Sequence, residues 1–145
     1  MTVGRILEQK GRDVSGIAPT ASIKEVVGEL ARLHIGALVV SGGEGRELQG
    51  IISERDVVRL LARDGSAALD ATVADVMTRN LVTANEQTSI DEALDIMTRG
   101  RFRHLPVCES GRLVGLVSIG DVVKHRIEAA ERQSEDLLTY IHAAG

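Results

Sequence analysis

Gly50-Ile51-Ile52-Ser53-Glu54-Arg55-Asp56-Val57-Val58 returns 65 residues later as Gly115-Leu116-Val117-Ser118-Ile119-Gly120-Asp121-Val122-Val123, with five of nine positions identical. Two of the changes exchange one aliphatic side chain for another. Upstream, Ser22 to Val40 matches Ser89 to Val107 at an offset of 67, with six identities in nineteen. A self-match at a nearly fixed offset marks an internal repeat and constrains the fold before any local pattern does. One unit is written twice, so a site built by one copy recurs in the other in related but unequal form.

The chain has 145 residues, enough for one compact domain or for two half-domains sharing a core. Hydrophobic residues make up 43% of it, which supplies a packed interior. No apolar run approaches the ~18 residues needed to cross a bilayer, and Met1-Thr2-Val3-Gly4-Arg5 leads into no signal-peptide core, so neither a membrane nor export is expected. A lone cysteine, Cys108, excludes an internal disulfide and favours a reducing, cytoplasmic setting. A formal charge of −4 and only two aromatic residues, Phe102 and Tyr140, argue against nucleic acid, which calls for a basic face or stacking platforms.

Each copy reads in the same order. A short extended segment (Val14 to Ile17; Leu81 to Ala84) precedes a helix whose apolar residues are Ile23, Val26, Val27 and Leu30, or Ile90, Ala93, Leu94 and Met97. Ser22 and Ser89 stand at the N-cap positions. Strands follow at Ala37 to Val40 and Leu48 to Ile52, or His104 to Val107 and Leu113 to Val117. Ser41-Gly42-Gly43-Glu44-Gly45 and Glu109-Ser110-Gly111 separate them as turns. A second helix starts near Ser53 or Ser118. The expected architecture is a mixed α/β (α+β) fold of two β-α-β-β-α repeats packed with pseudo-twofold symmetry. The divisions are residues 1–64 for repeat one with an N-terminal helix, 65–72 for a linker, 73–127 for repeat two and 128–145 for a C-terminal helix. Val3, Ile6 and Leu7 in the first helix match Val73, Val76 and Met77 ahead of repeat two. Leu137, Leu138 and Ile141 give the last helix an apolar face for packing or oligomerisation.

Both hairpins end in Ser-x-x-Asp at a strand-to-helix junction: Ser53 with Asp56, and Ser118 with Asp121. Serine at the N-cap with an acid at N3 is a capping-box variant and needs no ligand. The same geometry turns first-turn N–H groups outward at a positive helix end, where a phosphate is stabilised. A carboxylate beside it can accept hydrogen bonds from paired sugar hydroxyls, and the two together spell a nucleotide. In copy two, Arg101-Phe102-Arg103-His104 leads into a strand near the start of the Ser118 helix. Two arginines and a histidine there suit a polyphosphate, or equally a solvated helix C-terminus. Copy one has His34-Ile35-Gly36-Ala37 at these positions and carries Arg55 where copy two has Gly120, so the two sites should differ in affinity or ligand. His34, His104, His125 and His142 show no metal-ligand pairing with one another or with Cys108, and no nucleophile–base–acid set is evident. Cys108, at the end of an apolar strand, reads as a small buried hydrophobe.

The doubled Gly-h-h-Ser-x-x-Asp motif (h, hydrophobic), with Phe102-Arg103-His104-Leu105-Pro106-Val107 ahead of its second copy, resembles tandem cystathionine-β-synthase (CBS) domains, the Bateman module, of the stand-alone bacterial type. The likeness runs from about Val3 to Lys124. It implies a non-enzymatic regulatory module that binds AMP, ADP, ATP, NAD(H) or S-adenosylmethionine in two clefts between the copies and signals to an unidentified regulated protein. It also implies a homodimer. Carried over by position, Asp56 and Asp121 hold ribose hydroxyls. Ser53, Ser118 and Arg55 sit by the phosphate, and Arg103 and His104 match a phosphate-contacting basic pair. Met77 and Thr78 line the adenine side of the opposite copy's cleft, and Ile17 and Val82 flank the base. Copy one lacks the basic pair at Gly36-Ala37, so phosphate binding in its cleft is expected to rest on Arg55 and the helix end. The rival readings are a protein-interaction module in which both motifs are only caps, an S-adenosylmethionine binder, a nucleotide-processing enzyme, and redox control through Cys108.

Overall fold

The computed structural model describes residues 1–42 and 47–144; Gly43-Glu44-Gly45, expected in a turn, lies outside them. Repeat one opens with α1 (Val3–Lys10), then β1 (Gly16–Ile17), α2 (Ile23–Leu33), β2 (Ala37–Gly42), β3 (Glu47–Ser53) and α3 (Glu54–Asp64). A 3-10 turn over Gly65–Asp70 leads to α4 (Val73–Val76), α5 (Ile90–Gly100), β4 (His104–Glu109), β5 (Arg112–Ser118) and α6 (Ile119–Ala144). The second helix of repeat two and the C-terminal helix are thus one continuous helix.

The local reasons for these elements repeat with the sequence. Ser22, Ser53 and Ser89 each close a capping box, the side chain accepting from the N3 amide while the N3 carboxylate accepts from the serine amide. Ser118 and Asp121 make the same pair of bonds at the start of α6, at 2.9 and 3.1 Å. β2 and β3 pair antiparallel, as do β4 and β5, and both hairpins slip register at the matched steps Val40/Ser41 and Val107/Cys108. The second hairpin turns on Ser110 and Gly111, both at positive φ, as a two-residue I′ turn requires.

The expected strand over Leu81 to Ala84 is a correction. β1 pairs in parallel with Val39 and Val40, whereas Ala84 makes only a single bridge to Val107. The cause is Pro106, which stands where repeat one has Val39. The Val39 amide donates to the Ser15 carbonyl at 3.1 Å, and proline has no N–H with which to repeat that bond.

The two cores are closed by exchange. Val3, Ile6 and Leu7 of α1 are fully buried with Ile90, Ala93, Met97, Leu105, Val117 and Val122 of repeat two. Val73 and Met77 pack with Ile23, Val26, Leu30, Leu38 and Ile52 of repeat one. Backbone bonds tie the exchange symmetrically: Val3 N–H to Thr88 and Gly4 N–H to Glu86, against Val73 N–H to Ala21 and Ala74 N–H to Pro19. The α1 helix, which precedes repeat one along the chain, therefore belongs to the core of repeat two. The 65–72 segment is packed too, with Ala68 buried in the core of repeat one.

The glycine that opens each repeated motif lies beneath the exchanged segment. A Cβ on Gly50 would stand 2.7 Å from Met77 Sδ and 2.8 Å from the Thr78 carbonyl oxygen, which is backbone tied to Ile51. On Gly115 it would meet the Leu7 methyls, at 2.6 and 2.7 Å. Gly50→Ala should destabilise the fold by roughly 1–3 kcal/mol. Gly115→Ala, facing the rotatable end of a side chain, should cost less, and urea unfolding of the two variants measures the difference.

Candidate functional site

Two clefts lie between the repeats. The larger, about 420 Å³, opens at the start of α3 and is lined there by Ser53, Glu54, Arg55, Asp56 and Arg59. The segment after α4 contributes Thr78, Asn80, Leu81 and Val82, and the far wall is Gly100 to His104 with Pro106. Asp56 Oδ2 accepts from the Ser53 amide at 2.9 Å and from its hydroxyl at 3.1 Å, which fixes the carboxylate at the helix end. Arg55 Nη1 donates across the cleft to the Arg101 carbonyl at 3.3 Å. Four guanidinium groups (Arg55, Arg59, Arg101, Arg103) thus share this cleft with two carboxylates, Glu54 and Asp56.

The second cleft, about 350 Å³, opens at the start of α6. It is lined by Leu116, Ser118 and Asp121, by Lys10, Asp13, Val14 and Ser15, by His34 to Ala37, and by His104. Here Lys10 Nζ bonds Asp121 Oδ2 at 2.7 Å and the Leu116 carbonyl at 3.0 Å. One ammonium stands against the two carboxylates of Asp13 and Asp121.

The walls carry an unusual backbone feature. His34 and Arg101, equivalent by the 67-residue offset, both end their helices in the left-handed region, at φ 55° and 57°. Glycine would occupy that conformation more cheaply. Both side chains line a cleft, His34 the second and Arg101 the first.

Environment tunes three groups. Burial lowers the His104 pKa, with Lys10 and Arg103 acting the same way against Glu54 and Asp121, so the ring is mainly neutral at pH 7. For Asp121, desolvation pushes the pKa up, but the hydrogen bonds from Lys10 and Ser118 and the Lys10 charge together outweigh it, leaving the carboxyl below its ordinary value. Burial, with Glu109 adding, pushes the Cys108 thiol up, away from the thiolate that redox chemistry uses. His125, 5% exposed, pins α6 to α1, with Nδ1 2.9 Å from the Asp121 carbonyl oxygen and Nε2 2.6 Å from Gln9 Oε1.

The structure gathers Ser53, Arg55, Asp56, Thr78, Val82, Arg103 and His104 in the first cleft and Ser118, Asp121 and again His104 in the second. Ile17 and Met77 line neither. Ile17 packs against the core of repeat one, and Met77 is buried there, because the chain turns at Thr78 and presents that residue to the cleft. The basic cluster is also placed differently from expectation. Arg101 and Arg103 of copy two face the Asp56 cleft of copy one, so that cleft is the arginine-rich one. Lys10 and Arg59 were not singled out from sequence as site residues. The helix match that pairs Leu7 with Met77 pairs Lys10 with Asn80, which lines the other cleft.

Two clefts of unlike charge, each built from the start of a capped helix in one repeat and segments of the other, define a paired-repeat module with two candidate ligand sites. The CBS domain family model matches residues 11–63 and 73–128, and the chain belongs to that family. A curated relative, the CBS domain-containing protein CBSX3, mitochondrial, of Arabidopsis thaliana, is 32% identical over 97% of this chain and 71% of its own. The crystal structure of the CBS-domain containing protein ATU1752 from Agrobacterium tumefaciens superposes with a TM-score of 0.83 at 46% identity, covering 86% of this chain and 92% of that one. The CBS domain pair of protein MJ0100, in complex with 5′-methylthioadenosine and S-adenosyl-L-methionine, superposes with a TM-score of 0.71 at 27% identity, covering 86% and 98%. No helix among the described residues is long and apolar enough to cross a membrane.

If His34 and Arg101 hold the left-handed conformation for the sake of their side chains, glycine should be the more stable residue at both positions. His34→Gly and Arg101→Gly are each expected to raise stability by about 0.5–1 kcal/mol, the relief of the left-handed penalty less the added freedom of the unfolded chain. Thermal unfolding measures this, and a loss of stability would show that the side chains support the fold.

Proposed function

We propose that this chain is a non-catalytic regulatory module that senses an adenosine-containing nucleotide, among AMP, ADP, ATP and NAD(H), and transmits occupancy to a partner protein in the cytoplasm. One observation carries the reading: Asp56 is held at a capped helix start and shares its cleft with Arg55 and Arg59 of the same helix and with Arg101 and Arg103 of the far wall. The carboxylate suits the two hydroxyls of a ribose, and the guanidiniums with the α3 helix end suit its phosphates. Phe102, Leu81, Val82 and Pro106 supply apolar surface for a base. The ligands of MJ0100 both contain adenosine, which supports that moiety here. S-adenosylmethionine carries a sulfonium cation and fits four arginines poorly.

Signalling follows from the cleft's construction out of both repeats. Arg55 now bonds a neutral carbonyl of the other repeat, and an anionic phosphate offers it a stronger, charge-assisted bond. Occupancy then exchanges one cross-repeat tie for another, shifting the equilibrium by the ligand's differential affinity for the two arrangements. Val58, Val123 and Ile127, exposed on α3 and α6, supply apolar surface for the homodimer that is part of this reading.

The test is thermal unfolding with millimolar AMP, ATP, NAD, NADH or S-adenosylmethionine. A ligand at 100 times its Kd adds about 2.7 kcal/mol, worth roughly 5–10 °C for a chain of this length. Asp56→Ala should remove most of that shift while leaving the ligand-free protein folded. No shift with any of the five would return both Ser-x-x-Asp motifs to helix capping alone.

A pH series adds a second check. His104 sits in the free protein with its pKa below the ordinary value of about 6.5, and a bound phosphate must raise it. Binding therefore takes up a proton, and affinity should strengthen as pH falls through the raised pKa of the bound ring toward that of the free ring. The ring's share of the pH slope should be lost in His104→Ala, leaving only that of the nucleotide's own phosphate, as calorimetry in buffers of different ionisation enthalpy would show.

A further inference from the structure

We propose that Lys10 stands in for a ligand in the Asp121 cleft, so that the chain takes one nucleotide, in the Asp56 cleft, rather than two. The inference rests on the nucleotide reading above and assigns its stoichiometry. The repeat supplies two clefts of common design, yet three matched differences separate them.

The first is at the carboxylates. Asp121 Oδ2 already accepts from Lys10 Nζ at 2.7 Å and from the Ser118 amide at 2.9 Å, and the same ammonium bonds the Leu116 carbonyl at 3.0 Å. A ribose hydroxyl arriving there has to displace a charge-assisted bond with a neutral one. In the Asp56 cleft the residue matching Lys10, at the 70-residue offset that pairs Leu7 with Met77, is the uncharged Asn80, and Asp56 is bonded only within its own cap. The second difference is in the backbone. The Ser15 carbonyl beside the Asp121 cleft is taken by the Val39 amide, whereas Pro106 leaves the matching Val82 carbonyl without that donor. Among the described residues no N–H reaches Val82, so its oxygen can accept from the exocyclic amine of a base. The third is charge. Four guanidiniums outnumber two carboxylates in the Asp56 cleft, while in the other the single ammonium is spent on one of two carboxylates. A phosphate is drawn to the first and repelled from the second.

Equilibrium dialysis against ATP decides the matter. The parent chain should bind one ATP, and Asp56→Ala should abolish it. Lys10→Met, which removes the ammonium and frees Asp121 for a ribose, should bind two nucleosides when adenosine replaces ATP, while its ATP count stays at one because Asp13 and Asp121 repel a phosphate. Lys10→Gln, which keeps length and polarity without the charge, should also bind two adenosines and guards against local repacking in the methionine variant. Two ATP per parent chain would overturn the proposal, as would a parent site lost in Asp121→Ala but kept in Asp56→Ala. An adenosine count that stays at one in both Lys10 variants would overturn it as well. Absence of ATP binding to every variant would instead remove the nucleotide reading, and this inference with it.

Discussion

The exchange of leading helices is the constraint on which the rest of the molecule depends. A repeat of this size buries too little surface to be secure alone, and each core here is completed by a segment that precedes the other repeat. Val3, Ile6 and Leu7 seal repeat two, while Val73 and Met77 seal repeat one. Neither repeat can therefore fold to completion without the other. Because the exchanged chain has to cross from one core to the other, residues such as Thr78 and Lys10 are delivered to the rims of the clefts as a consequence of packing.

The same arrangement explains how nearly equal halves acquire unequal sites. The cores tolerate little change, and the matched pairs that differ most are at the clefts. Pro106 replaces Val39 and shortens a strand to one bridge. Lys10 stands where copy two has Asn80 and meets the Asp121 carboxylate, while Arg103 and His104 stand where copy one has Gly36 and Ala37. Each is a single substitution with little cost to packing, but together they make one cleft cationic and partly apolar and the other self-paired. Divergence of this kind turns a symmetric scaffold into a module with a preferred site. Cross-repeat contacts such as the Arg55 bond to the Arg101 carbonyl give that site a mechanical connection to the relation between the halves.

Much of this was legible in the residues. The repeat offset, the four serines at helix starts and the alternating strands all act over a few neighbouring residues, and local physics is what a linear pattern records. The cap at Ser53 and the acid at Asp56 were placed correctly at one helix start for that reason. Met77 and Ile17 were not placed correctly, because apolar residues near a cleft and apolar residues beneath it look alike in sequence. The left-handed backbone at His34 and Arg101 gave no signal, since neither is a residue type that announces it.

By itself the sequence determined that one unit of a helix, a hairpin and a second helix occurs twice, where its helices begin, and that each copy sets a carboxylate beside a helix end. Those features follow from periodicity and from bonds spanning three residues. Only the tertiary structure decided that Arg101 and Arg103 of one copy face the Asp56 of the other, that α1 belongs to the far core, and that Lys10 reaches Asp121. The reason is geometric. Partners separated by 46 to 111 positions are brought together by the packing of two repeats around an axis that no residue encodes, and side-chain direction across a cleft exists only once that packing is complete.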